Sequence, residues 1–121
     1  MLTFDELRRA NRARCDRWHP QGIDEWSLSD WAVAMVGEAG EACNVIKKLN
    51  RVRDGITGNT TSEEELRAQL GAEIADTLIY LDLLAQRAGI DLGAAVVAKF
   101  NAVSERVGFP ERLPMSEAPA S

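Results

Sequence analysis

Apolar residues recur along this chain at helical spacing, and the two-residue alternation of a strand is nearly absent. Thr3 followed by Glu6 has the form of a capping box, which predicts a helix over roughly Phe4 to Trp18. His19-Pro20-Gln21-Gly22 breaks it. Ser27 with Asp30 opens a second helix reaching Leu49 or Arg53, and the turn-rich run Asp54-Gly55-Ile56-Thr57-Gly58-Asn59 follows. Ser62 with Glu65 is a further capping box, and the third helix runs to Ala88 with Gly89 as its C-terminal cap. Asp91 caps a fourth helix ending near Val107, where Gly108 and Pro110 are stop signals. The expected fold is therefore all-α, a four-helix bundle in one domain over residues 1–110, with 111–121 as a flexible tail rich in Pro, Ser and Ala.

The faces of these helices say more. At about 100° per residue, Leu28, Trp31, Met35, Ala42, Ile46 and Leu49 form one stripe on the second helix. On the third, Leu66, Leu70, Thr77, Leu81 and Leu84 form a stripe, while Ile79 and Leu83 fall elsewhere. A helix apolar on most sides is buried on most sides. Either the first helix, with Leu7 and Ala10, covers the second face, or another copy of the chain does. We expect a homodimer or homotetramer with the third and fourth helices near the interface.

Composition narrows the function. A chain of 121 residues has room for one modest core, which oligomerisation would enlarge. Lys plus Arg is 14 against 19 Asp plus Glu, a net charge of −5, which argues against a general nucleic-acid binder. Cys15 and Cys43 have neither the number nor the spacing of a disulfide framework, and no signal peptide or membrane span is legible, so a cytoplasmic protein is expected. His19 is the sole histidine, which weakens zinc, catalytic-triad and di-iron readings.

Acidic pairs are the main chemical signal. Glu38 and Glu41 lie one turn apart at the edge of the second helix's apolar stripe, and Glu73 and Asp76 stand likewise in and beside that of the third. Carboxylates at core-facing positions are costly unless paired or neutralised, and converging ones repel. A hard divalent cation resolves both problems. Oxygen ligands alone point to Mg²⁺, with Mn²⁺ as a substitute, and Mg²⁺ commonly takes further ligands from substrate phosphates. One E-x-x-E on a helix is usually a solvated face; two such pairs beside apolar stripes are a stronger signal.

Gly37-Glu38-Ala39-Gly40-Glu41 and Glu73-Ile74-Ala75-Asp76 resemble the paired E-x-x-E and E-x-x-D motifs of the MazG-like all-α nucleoside triphosphate pyrophosphohydrolases. Lys99-Phe100-Asn101 and Ser104-Glu105-Arg106-Val107-Gly108-Phe109-Pro110 look like the end of that domain, so the resemblance covers roughly Trp26 to Pro110. It implies a helical dimer or tetramer that hydrolyses a nucleoside triphosphate between the α and β phosphates, giving the monophosphate and pyrophosphate. By motif, Glu38, Glu41, Glu73 and Asp76 would hold the metal and carry the catalysis. Lys48, Lys99 and Arg106 are candidates to reach phosphate, and Asn101 to hydrogen-bond sugar or phosphate. Trp31 is a candidate to stack on the base, although it also falls on the apolar stripe, and Trp18 and Trp26 lie nearby. For His19 a hydrogen bond in the turn beside Pro20 is expected.

Two departures qualify the resemblance. Many members open the first motif with two adjacent glutamates, and here Gly37 stands in the first position. The polar segment from Arg51 to Thr61 is long, and reads either as a lid bearing Arg51 and Arg53 or as a linker. The alternatives to a nucleotide pyrophosphohydrolase are a phosphoribosyl-ATP pyrophosphatase and a non-catalytic helical oligomerisation or regulatory module.

Overall fold

The computed structural model describes residues 1–115. Residues 116–121 of the expected tail lie outside them. Four α-helices account for most of the described chain: α1 (Phe4–Trp18), α2 (Leu28–Arg53), α3 (Glu63–Arg87) and α4 (Leu92–Val107), with a short 3₁₀ turn at Gly22–Glu25 and no strand among the described residues. The fold is all-α, as the sequence pattern indicates. No described helix is long and apolar enough to cross a membrane.

Capping sets the boundaries. At α1 the Thr3 hydroxyl accepts from Glu6 N–H while the Thr3 N–H donates to the Glu6 carboxylate, and Ser27 and Asp30 form the same reciprocal pair at α2. At α3 the expected box is half formed: Ser62 accepts from Glu65 N–H, and the return bond is absent from the described contacts. Asp91 accepts from Ala94 N–H to start α4, and Gly108, at φ 75°, ends it in the left-handed region that favours glycine.

α2 and α3 pack along each other as the main pair, α1 and the 3₁₀ turn close one side, and α4 touches α1 and α3 much more lightly. The core gathers Cys15 of α1, Ile23 of the 3₁₀ turn, Trp31 of α2 and Leu83 of α3, flanked by Trp26, Tyr80 and Leu84. The Trp31 indole N–H donates to the Ile23 carbonyl at 3.1 Å, so its one polar atom is satisfied inside the core. Leu83 meets Cys15 here, so α1 covers the side of α3 that the stripe pattern left open. On α2, Val45 is buried, whereas Leu28 and Ile46, placed on its apolar stripe, are exposed. A helix of 26 residues is not covered on one fixed face along its whole length.

The last described residues are held against α4. Asn101 Nδ2 donates to the Leu113 carbonyl at 3.0 Å, and Leu113 N–H donates to Asn101 Oδ1 at 2.7 Å. Before α3, Asn59 Nδ2 donates to the Lys48 carbonyl at 2.8 Å and ties the connecting segment back to α2.

Candidate functional site

The four acids sit halfway along the paired helices. Capping of α2 at Ser27 and of α3 at Ser62 sets where each helix begins, and the i, i+3 spacing turns Glu38 with Glu41, and Glu73 with Asp76, to the same side of their helices. Glu38, Glu73 and Asp76 each offer a carboxylate oxygen, and these oxygens lie within 4.8 Å of one another. Glu41, exposed like Asp76, stands beside that trio, within hydrogen-bonding reach of Glu38 and Glu73.

The electrostatics are those of crowded like charges. Burial, then hydrogen bonding with Glu41 and Glu38, then their charges, push the Glu73 carboxyl up to about 7 from an ordinary 4.5. Burial is also the main cause raising Glu38, with the charges of Glu41 and Asp76 adding to it and a hydrogen bond from Glu73 opposing it. Glu73 Oε2 is buried and has no hydrogen-bond partner among the described residues. No lysine or arginine of the described residues forms an ion pair with any of the four. A buried carboxylate oxygen without a partner, among oxygen-only donors, fits a hard divalent cation.

Beside the acids is a cavity of about 280 Å³. Glu38 and Asp76 form one wall, and Trp18, His19, Trp31 and Tyr80 supply aromatic surface. Trp31 is 1% exposed and is the floor of the cavity rather than a free stacking face. Its ring meets those of His19 and Trp26 at centroid distances of 5.5 and 4.5 Å. His19 pairs through Nδ1 with Glu25, so the expected hydrogen bond in the turn is present. Arg14 lies on the exposed ring of Trp18, 5.1 Å from its centroid, at the edge of the same cavity.

The other candidates lie away from it. Lys48, Lys99 and Arg106 are exposed, and none lines the cavity. Asn101 has both side-chain polar atoms engaged with Leu113. Conversely, Arg14 and Tyr80 line the cavity and were not read as site residues. A signal for them existed: Tyr80 follows Asp76 by four residues, and Arg14 precedes Trp18 by four, so each shares a helix face with a neighbour of the site.

No family model matches the chain. It is 33% identical over 79 residues to gene 37 protein of Mycobacterium phage L5, covering 65% of each chain. Over 86 residues it is 34% identical to dCTP pyrophosphatase 1 of Rattus norvegicus and 35% identical to that of Homo sapiens. These relatives support the MazG-like resemblance of the sequence. The 86-residue stretch is 71% of this chain and 48% of each mammalian enzyme, so this chain spans about half the length of those relatives.

Proposed function

We propose that this chain is a Mg²⁺-dependent nucleotide pyrophosphohydrolase that cleaves a nucleoside triphosphate between its α and β phosphates. One observation carries the reading: an acid trio holds an unpartnered buried oxygen on Glu73, and its other two members, Glu38 and Asp76, line an aromatic cavity. The kinship with dCTP pyrophosphatases supports it and makes dCTP the first nucleotide to try.

Glu38, Glu73 and Asp76, with Glu41, would hold Mg²⁺, with Mn²⁺ as a substitute; bound there, the ion would supply charge neutralisation for the phosphates. Their place on two closely packed helices, with Glu38 and Glu73 half-buried, holds these carboxylates together before substrate arrives, so little reorganisation is needed at the moment of reaction. Trp18 and His19 offer aromatic surface to a base, over the rigid floor of Trp31. Arg14 supplies a positive charge at the rim of an otherwise acidic site. Lys48, Lys99, Asn101 and Arg106 keep a role in this reading only if substrate or a second copy reaches them.

We propose further that the chain works as a homo-oligomer. Val33, Val36, Gly37 and Gly40 share one exposed face of α2, and Gly71, Ile74, Ala75 and Leu78 one exposed face of α3, both next to the acids. A second copy seated there is the simplest cover for them.

The test of activity is pyrophosphate release from a panel of canonical and modified NTPs and dNTPs, starting with dCTP, with and without Mg²⁺. Metal-dependent pyrophosphate with the monophosphate as co-product is expected. A folded helical protein that releases none from any nucleotide would overturn the reading in favour of a non-catalytic module.

A further inference from the structure

A larger cavity, about 460 Å³, lies between the start of α1, the first half of α4 and residues 113–115. Phe4, Leu92, Val96 and Leu113 give it an apolar wall. Its volume is in the range of small-molecule sites, ~300–1,000 Å³. Asp82 of α3 also lines it, and that side chain is not an ordinary surface acid: the residue is 1% exposed.

Asp82 is held by neutral donors. Asn11 Nδ2 and Gln86 Nε2 each donate to Oδ2 at 2.9 Å, and among the described residues no hydrogen bond falls on Oδ1. No lysine or arginine of the described residues pairs with it either. The one guanidinium at the cavity, Arg8, pairs with Asp5 and lies 3.9 Å from Asp91. The lining therefore holds three carboxylates, Asp5, Asp82 and Asp91, against one cation. A carboxylate removed from water is costly without a positive partner. Among the described residues that cation is absent, and the open volume beside Asp82 has an apolar wall.

We propose that this cavity is a binding site for a small amphipathic cation, an organic amine whose ammonium meets Asp82 and whose apolar body lies against Phe4, Leu92 and Val96. Charge complementarity selects the head group, and the apolar wall selects the body. The net negative lining disfavours a nucleotide or any other phosphorylated ligand. The site is separate from the acid cluster, and the proposal does not depend on the reaction assigned there.

The probes are 2-phenylethylamine and its neutral analogue 2-phenylethanol, titrated into the full chain in Mg²⁺-containing buffer and followed by backbone amide NMR. The amine is expected to bind at least about tenfold more tightly than the alcohol, with shifts concentrated on Phe4 and Leu92–Val97. Asp82→Asn keeps the side-chain shape and should reduce the amine to the affinity of the alcohol. Val96→Phe fills the cavity and should abolish binding of both; it serves as the reading of the site if Asp82→Asn does not fold. Equal affinity for amine and alcohol overturns the proposal, as does an amine preference that survives Asp82→Asn. So do shifts centred on Trp31 and Glu38, which would mean that the amine is merely attracted to the acid cluster.

Discussion

Glu73 combines a raised carboxyl, a buried oxygen without a partner and two glutamate neighbours. Glu73→Gln keeps the size and removes the charge. Pyrophosphate release should fall by at least about 100-fold, on the scale of losing one electrostatic contact in a preorganised site, while the circular dichroism stays helical. Near-normal turnover would remove Glu73 from the reaction. The same residue fixes a pH dependence. In the metal-free folded chain Glu73 holds its proton up to about pH 7, whereas unfolded it loses it near 4.5. Between those values the folded state binds more protons, so the stability Glu73 contributes is complete at the acidic end and declines as pH rises through 7. Denaturation midpoints of the metal-free protein, compared with those of Glu73→Gln, should therefore converge or cross in favour of the glutamine variant as pH rises. Adding Mg²⁺ should restore the wild type at pH 8 and leave the variant less changed. A wild-type advantage that grows with pH in the absence of metal would contradict this account.

The helices were legible because their ends are written in local chemistry. Thr3, Ser27, Ser62 and Asp91 each cap a helix from its own side chain, and Gly108 ends α4 with the positive φ that glycine tolerates. The acid trio was legible for a related reason, since i, i+3 spacing fixes which side chains share a face. What joins different helices was not. Leu83 faces Cys15, Tyr80 meets the acid site and Asp82 is buried against Asn11, and each depends on which neighbour packs where. The caps yield a prediction at this scale. Glu6 returns a hydrogen bond to Thr3 N–H at 2.8 Å, whereas Glu65 returns none to Ser62. Glu6→Ala should cost on the order of 0.5–1 kcal/mol in urea denaturation, and Glu65→Ala less, only its share of the helix-dipole interaction. Equal losses would show that the reciprocal bond at α1 adds nothing.

A single copy leaves the outer face of α2 and α3 unexplained. Val36 is 60% exposed and Ile74 is 57% exposed, and Gly37, Gly40 and Gly71 stand beside them in helix interiors. Each glycine there costs roughly 1 kcal/mol relative to alanine, yet among the described residues an added Cβ at any of the three would meet no atom beyond its own stretch of helix within 4 Å. Nothing among the described residues of one copy requires these small residues, whereas a closely seated second helix pair would. The wild-type chain should therefore sediment as a dimer or tetramer, and Val36→Glu or Ile74→Glu should shift it to monomer with its helical signal retained. Because Val36 and Ile74 flank Glu38 and Glu73 in sequence, the monomeric variants should also lose most of their pyrophosphate release. A wild type that stays monomeric at about 100 µM would sink the oligomer. Monomeric variants with full turnover would instead show that one copy carries a complete site, and that the exposed face serves assembly alone.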